Sequence, residues 1–214
     1  IDVASAQVRT AFAFAALNAE GDSTIDSPPG FRDHTERWLA SIGRGKWVAA
    51  TRYQIHPGPI EPASYDIPGD PSSAAYLWAL AAIRPGSQVM TPAISLNPGR
   101  LGFLQILEEM GAEVEAVVTG ALGGDPVGDV VVRGRSLHGV VIEGPLVASA
   151  LDELPLVAVV AAYGEGITTV RGAAELRRKE SDRIAAIAAM ITALQGGIET
   201  APDGFSVVGT GFLA

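Results

Sequence analysis

Three stretches of the chain repeat one order of apolar and polar positions. Each has a small or acidic start, about ten mostly apolar residues, a glycine, and then a short run typical of a β-strand. This order is typical of a buried helix that ends at a glycine and leads into a strand. The closing glycines are 65 and then 80 residues apart, which indicates an internal repeat. The stretches are Ser5 to Gly21, Asp70 to Gly86 and Asp152 to Gly166.

A second, more charged helix follows each stretch. The pattern predicts these helices at about 33–41, 98–110 and 181–194, followed by strands such as 128–133 and 205–209. We therefore predict an α+β fold built from about three copies of a βαβαββ-like unit. Ordinary alternation of helices and strands, without homology between the three stretches, is the alternative.

The stretch 54–70 contains four prolines and separates the first unit from the second. Proline removes a backbone donor and fixes φ, so this segment is expected to be extended rather than helical. We place a domain crossing here, with 1–65 in one domain and two repeat units in 66–214. A crevice between two such parts is the usual setting for a small-molecule site.

Composition narrows the classes of function. A net charge of −9 and a pI near 4.8 argue against nucleic-acid or anionic-membrane partners, which select basic surfaces. The chain has no cysteine, and His34, His56 and His138 lack metal-ligand spacing, so no cysteine or histidine metal site is expected. No apolar run is long enough to span a bilayer and no signal peptide is recognisable, which fits a cytoplasmic protein. Because the first residue is not methionine, we expect the chain to start inside a longer gene product.

The most charged part of the chain lies at residues 175–184, directly before an apolar helix. The helix has a predicted buried stripe and needs no such charges for solubility. Ser181 is a candidate N-cap, and Lys179, Glu180 and Arg183 would surround the helix N-terminus, where an anion is favoured. The alternative is a capped surface helix whose charges only pair with one another. The predicted stripe consists of Ile184, Ile187, Ala188, Ile191 and Leu194.

Two weaker candidates lie in the first unit. Ser5, Ala6 and Gln7 place a hydroxyl, a backbone amide and a carboxamide at a helix start, which alone indicates only a cap. Arg32 lies just before another predicted helix and is equally uninformative alone.

The string Leu-Arg-Arg-Lys-Glu-Ser-Asp-Arg at 176–183 resembles, with one replacement, the signature Leu-Arg-Val-Lys-Glu-Ser/Thr-Asp-Arg of 5-enolpyruvylshikimate-3-phosphate synthases. The replacement puts Arg178 where that family has an apolar valine. Five further blocks resemble the family's blocks in the family's order, so the resemblance covers essentially the whole chain. They are Ala-Ser-Ala-Gln-Val, Arg-Asp-His-Thr-Glu, Ile-Pro-Gly-Asp-Pro-Ser-Ser-Ala-Ala, Leu-Asn-Pro-Gly-Arg-Leu-Gly and Leu-Asp-Glu-Leu-Pro.

The resemblance implies an enolpyruvyl transferase-like fold, an inside-out α/β barrel whose repeat units are split over two domains. It implies no cofactor, two small-molecule substrates, a monomeric full-length enzyme, and the target of the inhibitor glyphosate. The first domain would bind shikimate-3-phosphate. The resemblance implies that shikimate-3-phosphate is bound by Ser5, Ala6, Gln7 and Arg32. It implies that Asp152 and Lys179 bind the same substrate and also take part in catalysis. On the phosphoenolpyruvate side it implies Arg183 as a binding residue and Glu180 as a catalytic residue. For two of these residues a structural role is the alternative: Asp152 as a helix N-cap, and Glu180 as an ion-pair partner of Arg183. The blocks at 70–73 and 97–100 are expected to be structural.

The reaction implied is transfer of the enolpyruvyl group of phosphoenolpyruvate to the 5-hydroxyl of shikimate-3-phosphate. It needs a carboxylate pair for acid/base work and basic groups that hold a carboxylate and two phosphates. The family's chain is about twice as long, and its Gly-rich loop and two further basic blocks have no counterpart here, so this chain alone is expected to be inactive. Two alternatives stay open: a non-catalytic remnant or scaffold that binds a phosphorylated metabolite, and the related transferase that acts on a UDP-sugar.

Overall fold

The computed structural model describes residues 5–26 and 32–213. Within each repeat unit the elements follow the order helix, strand, helix and two strands, and a short strand and a short helix lie between the second unit and the third. The helices are α1 (Ala6–Ala16), α2 (His34–Ser41), α3 (Pro71–Ala82), α4 (Gly102–Glu109), α5 (Pro145–Ser149), α6 (Leu154–Ala162) and α7 (Arg183–Ala193). The strands are β1 (Ser23–Asp26), β2 (Gly45–Ala49), β3 (Arg52–Ile55), β4 (Gln88–Ser95), β5 (Glu113–Leu122), β6 (Asp125–Arg133), β7 (Val141–Ile142), β8 (Glu165–Val170), β9 (Gly197–Ala201) and β10 (Gly204–Thr210).

The strands form sheets with one shared topology. Their orders are β1-β3-β2, β4-β6-β5 and β7-β8-β10-β9, so in each unit the third strand of the αβαββ run lies between the other two and is antiparallel to both. In the last unit β7 adds a strand parallel to β8 before the first helix. Gly69 makes the matching parallel bridge to Ile94 of β4 in the second unit. The α+β fold with three βαβαββ-like units is therefore confirmed.

Buried apolar side chains form two clusters. The smaller one lies between α1, α2 and the first sheet, where Tyr53 is fully buried and its hydroxyl donates to the backbone oxygen of Glu36. The larger one lies between α3, α4, α6, α7 and the other two sheets. Residues 56–68, between the clusters, contain neither helix nor strand, as their prolines predict. Two cores agree with a crossing in this segment, but the division at 65/66 stays a prediction. No helix in the described part of the chain is long and apolar enough to cross a bilayer.

Two predicted helix starts are confirmed. Ser5 accepts a hydrogen bond from the backbone N–H of Val8 at the start of α1. Asp70 accepts from the backbone N–H groups of Ser72 and Ser73 at the start of α3. The predicted helix 98–110 is shorter: residues 98–100 form a 3-10 turn, and α4 follows it. The side chain of Asn97 accepts from Gly99 N–H and fixes this turn.

The predicted cap of α7 is wrong. The N-cap is Asp182, not Ser181, and the helix begins at Arg183. Asp182 Oδ1 accepts from Ala185 N–H at 3.0 Å, while its other oxygen accepts from Arg177 at 2.7 Å. A carboxylate is as good a helix cap as a hydroxyl, and its negative charge is also favoured by the helix dipole. Asp182 can contact both Ala185 N–H and Arg177, so it caps the helix instead of its neighbour Ser181.

The buried face of α7 is narrower than predicted. Ile184, Ile187 and Ile191 are buried, whereas Ala188 and Leu194 are only partly covered. The spacing of three and four residues between the buried isoleucines is that of a single helix face.

The two neighbouring cap candidates can be told apart by substitution. Asp182→Ala is expected to lower the midpoint of thermal unfolding, because it removes both the cap acceptor and the partner of Arg177. Asp182→Asn keeps a good cap acceptor and should retain most of the stability, and Ser181→Ala should leave the midpoint unchanged. Thermal unfolding followed by circular dichroism measures all three. A larger loss in Ser181→Ala than in Asp182→Ala would contradict the observed cap.

Candidate active site

A cavity of about 660 Å³ opens where the first unit approaches the third. Every site residue that the sequence predicts lines it. The lining residues are Ser5, Ala6, Gln7, Arg32, Ala148, Leu151, Asp152, Glu175, Lys179, Glu180 and Arg183. Their roles toward a ligand stay predictions, but their convergence in one cavity is a property of the fold.

Different element ends bring these side chains together. Ser5, Ala6 and Gln7 are the N-terminal cap and first residues of α1. Arg32 lies two residues before α2, and Asp152 lies in the turn between α5 and α6. Lys179 follows the 3-10 helix of residues 174–178, and Arg183 is the first residue of α7. A site built from such ends exposes backbone N–H groups of helix starts alongside charged side chains.

Asp152 lies at the centre of the charged groups. Its Oδ2 accepts from Arg32 Nη2 at 2.7 Å and its Oδ1 accepts from Arg183 Nη1 at 3.2 Å. Burial by itself would raise the pKa of the Asp152 carboxyl, but Arg32, Arg183 and Lys179 outweigh burial and hold that pKa below its ordinary value. Asp152 is therefore ionised throughout the neutral pH range.

The alternative role of Asp152 as a helix cap is wrong. The N-cap of α6 is Glu153, the helix starts at Leu154, and no side chain caps it. The carboxylate of Asp152 is instead engaged with two arginines that come from other parts of the fold. Asp152 therefore does not stabilise α6 as a helix cap.

The other acidic groups of the cavity are far more exposed than the basic ones. The side chains of Arg32, Lys179 and Arg183 are 28%, 27% and 27% exposed. Glu175, which pairs with Lys179 at 2.9 Å, is 65% exposed, and Glu180, which pairs with Arg183 at 3.0 Å, is 82% exposed. Surface ion pairs of this kind contribute little stability and exchange readily with solvent or another anion. The cavity therefore has partly buried cations, and exposed carboxylates whose ion pairs a ligand can replace.

The pKa values agree with this pairing. The backbone N–H of Glu180 and the guanidinium of Arg183 lower the pKa of the Glu180 carboxyl. Partial burial of Arg183 opposes its charge, but hydrogen bonds to Glu180 and Asp152 raise its pKa above the ordinary value. The pairing of Glu180 with Arg183, expected from the sequence, is thus observed. It leaves a catalytic role of Glu180 open, since an exposed carboxylate can turn toward a ligand.

Sequence reasoning missed three lining residues and one supporting residue. Glu175 is four residues before Lys179, a spacing that predicts the observed ion pair. Ala148 and Leu151 carry no charge, so nothing in the sequence marked them. Glu153 is buried and accepts a short hydrogen bond from Ser72 Oγ of α3, which anchors the turn that carries Asp152.

The blocks at 70–73 and 97–100, which the sequence analysis expects to be structural, contact each other. Arg100 Nη2 donates to Asp70 Oδ1 at 2.6 Å and to Ser72 Oγ at 2.7 Å. These contacts tie the start of α3 to the turn before α4, which is the structural role that the sequence predicts. Arg178, the residue that departs from the family signature, is exposed and does not line the cavity, so its charge needs no buried partner.

No group of three or more His, Asp or Glu residues among residues 5–26 and 32–213 is arranged to hold a metal ion. The functional groups of the cavity are its charged and polar side chains. Two carboxylates within reach of one guanidinium can exchange protons with a ligand, and three cations can hold its anionic groups.

Comparisons with known proteins agree with this geometry. A family model described as EPSP synthase (3-phosphoshikimate 1-carboxyvinyltransferase) matches residues 1–213. Proteins named 3-phosphoshikimate 1-carboxyvinyltransferase from Chloroflexus aurantiacus and Roseiflexus castenholzii are 45% and 44% identical over 98% and 100% of this chain. The solved EPSP synthase of Acinetobacter baumannii superposes on the whole chain with a TM-score of 0.88 at 35% identity.

The chain spans about half the length of these relatives, 49% and 50% of the two sequences and 49% of the solved structure. The match is nonetheless continuous over the three repeat units and over all the residues that line the cavity. The chain belongs to the EPSP synthase family.

Proposed function

We propose that the full-length protein containing this chain transfers the enolpyruvyl group of phosphoenolpyruvate to the 5-hydroxyl of shikimate-3-phosphate and releases phosphate. The observation that carries the proposal is the cavity of about 660 Å³ in which all the residues implied by the family resemblance come together. The names of the relatives support the same reaction. In this proposal the present chain supplies the shikimate-3-phosphate side of the site and part of the phosphoenolpyruvate side.

The proposed reaction has two steps, an addition and an elimination. In the addition step, a proton goes to the methylene carbon of phosphoenolpyruvate, and the 5-hydroxyl oxygen bonds to C2 while losing its own proton. In the elimination step, the bond from C2 to the phosphate oxygen breaks, phosphate leaves, and the methyl group loses a proton to restore the double bond. The enzyme must supply one base for the hydroxyl, one acid/base group for the carbon, and cations for the two phosphates and the two carboxylates.

The residues of this chain fit those tasks. Asp152 is ionised at neutral pH and is proposed to accept the hydroxyl proton. Glu180, exposed and paired with Arg183, is proposed to exchange the proton at carbon. Arg32, Lys179 and Arg183 are proposed to hold the anionic groups, with the start of α1 cradling shikimate-3-phosphate.

Asp152 must change partners during such a reaction. A carboxylate held by two guanidinium groups is a weak base, because both cations favour its ionised form. A substrate phosphate that takes over Arg32 would remove one of these contacts and raise the proton affinity of Asp152. Substrate binding would thus prepare the base for its task, at the moment when the hydroxyl is in place.

The remaining parts of the proposal concern the whole protein. We assign 1–65 to a first, shikimate-3-phosphate-binding domain and 66–214 to a second domain. A cytoplasmic location and a monomeric full-length state belong to the same proposal.

The direct test is an assay of the full-length protein. We expect phosphate release from phosphoenolpyruvate that depends on added shikimate-3-phosphate, together with formation of the enolpyruvyl ether product. Direct titration should detect shikimate-3-phosphate binding by the same preparation. Binding without turnover would favour the metabolite-binding scaffold, and absence of both would refute the proposed function.

Lys179→Met in the full-length protein is expected to weaken shikimate-3-phosphate binding roughly 10- to 100-fold, the scale of a charge-assisted hydrogen bond worth about 1.5–3 kcal/mol. The methionine keeps the length of the side chain but removes the charged donor. Titration calorimetry with shikimate-3-phosphate measures the change.

The matched control is Arg178→Met, which removes the same charge one residue away on an exposed side chain outside the cavity. We expect Arg178→Met to bind shikimate-3-phosphate almost as the parent protein does. Equal losses in the two variants would mean that Lys179 acts only through the general field of the site and does not contact the substrate.

A further inference from the structure

A polar cluster with a buried centre joins the first repeat unit to the second. The first unit contributes Asp33, His34 and Arg37 from the start of α2, and the second contributes Asn97 and Asp125. Asn97 is fully buried and Asp125 is 8% exposed. The cluster lies between the two apolar cores described above. It is therefore a specific polar contact between units whose apolar side chains pack separately.

Asn97 is the centre of this cluster. Its Nδ2 donates to Asp33 Oδ1 at 2.8 Å and to Asp125 Oδ1 at 2.7 Å, and its Oδ1 accepts from Gly99 N–H at 2.9 Å. Both the amide nitrogen and the amide oxygen make hydrogen bonds, so only one orientation of the side chain satisfies them all. The amide donors also lie between two carboxylates that would otherwise repel each other.

Two further contacts of the cluster come from α2. His34 Nδ1 lies 2.5 Å from Asp125 Oδ2, and Arg37 Nε donates to Asp33 Oδ1 at 2.8 Å. The nearby Asp125 carboxyl has a lowered pKa: burial opposes its ionisation, but His34, Asn97 and Arg37 outweigh burial. Through these contacts the first turn of α2 is fixed against the 3-10 turn that follows Asn97.

Arg32 is the residue directly before this fixed turn. Consecutive Cα atoms are about 3.8 Å apart, so a displacement of Asp33 moves the backbone of Arg32 with it. The guanidinium of Arg32 must meet Asp152 in the third unit, 120 residues away in sequence, at 2.7 Å. A shift of about 1 Å at the start of α2 is enough to lose such a hydrogen bond.

We propose that Asn97 is a positioning residue for substrate binding: it fixes the start of α2 so that Arg32 projects into the active-site cavity at the correct distance from Asp152. The inference rests on the proposed function and adds to it a residue that touches neither the cavity nor Arg32 itself. Asn97 acts through Asp33 and Asp125, and its contribution to binding is carried by Arg32.

A double-mutant cycle on the full-length protein tests this proposal. The variants are Asn97→Ala, Arg32→Ala and the double variant, and the readout is the dissociation constant for shikimate-3-phosphate by direct titration. We expect Asn97→Ala to weaken binding roughly 5- to 100-fold, the range of coupling between residues of one network. In the Arg32→Ala background, Asn97→Ala should have almost no further effect. Losses that multiply would overturn the proposal.

The control must separate positioning from general loss of stability. Thr91→Val removes a buried hydroxyl of the second unit that accepts from Trp78 Nε1 at 2.9 Å and has no role at α2. We expect Thr91→Val to lower the melting temperature and leave shikimate-3-phosphate binding unchanged. Asn97→Ser, a smaller polar replacement, repeats the cycle if Asn97→Ala does not fold. A loss of binding in Thr91→Val as large as that in Asn97→Ala would count against positioning.

A second readout does not depend on the substrate. The Arg32 contact lowers the pKa of Asp152, so Asn97→Ala should raise that pKa in an NMR titration of the carboxyl carbon, and Arg32→Ala should raise it further or equally. An unchanged Asp152 titration in Asn97→Ala would refute the positioning role. If the parent protein binds no shikimate-3-phosphate, the proposed function fails, but the link from Asn97 to Asp152 is still decided by this titration.

Discussion

Asp152→Asn in the full-length protein is expected to lower kcat by roughly 10²- to 10⁴-fold, the range for loss of a general base. Asparagine has nearly the same shape and still offers one oxygen to Arg32 or Arg183, but it cannot take the proton of the 5-hydroxyl. All three cations of the cavity remain present, so shikimate-3-phosphate binding should change little. Steady-state kinetics and direct titration together separate the two effects.

Glu153→Gln is the matched control for this substitution. Glu153 is the adjacent carboxylate, but it is buried against Ser72 and does not line the cavity. Glutamine preserves an acceptor for the Ser72 hydroxyl, so we expect turnover close to that of the parent protein. Near-normal turnover in Asp152→Asn would remove Asp152 from the proton transfer and leave it as an ion-pair partner of the two arginines.

The 214-residue chain by itself is expected to show no synthase turnover. Its cavity offers Arg32, Lys179 and Arg183, and their charge is already offset by Asp152, Glu175 and Glu180. The two substrates of the proposed reaction together carry two phosphates and two carboxylates, and the relatives are about twice as long as this chain. Removing several members of one electrostatic clamp costs orders of magnitude in rate.

The measurement is phosphate release from phosphoenolpyruvate in the presence of shikimate-3-phosphate, with the purified chain and the full-length protein side by side. A cooperative thermal transition of the chain must be recorded first, so that absence of turnover is not absence of folding. Release by the pure chain that depends on shikimate-3-phosphate would contradict the prediction and show that these three cations suffice.

The repeat architecture could be predicted from the sequence because its signals are local. Apolar periodicity, a closing glycine and a following β-type run occur within about twenty residues, and they specify helix, turn and strand wherever the unit packs. The family resemblance likewise identified Ser5, Arg32, Asp152 and Lys179 one position at a time. Which of these residues would meet could not be derived from local patterns.

The details that sequence reasoning missed are choices between equivalent neighbours. Ser181 and Asp182 are both good N-caps, and only the path of the chain, with Arg177 in reach, selects Asp182. Asp152 and Glu153 are adjacent acids, and the packing of α6 turns one toward the cavity and the other toward Ser72. The direction in which a side chain points depends on the helices and strands that pack around it. Those elements are distant in sequence, so a short window of sequence does not contain this information.

The sequence by itself therefore determined the order of helices and strands within the repeat units, their threefold repeat and the identity of the charged residues. The tertiary structure alone decided that Arg32 meets Asp152 across 120 residues, and that Asn97 lies fully buried between Asp33 and Asp125. The physical reason is the range of the interactions. Backbone preference and apolar periodicity act between near neighbours, whereas an ion pair or a buried hydrogen bond forms only after separate units have packed and brought its two atoms within about 3 Å.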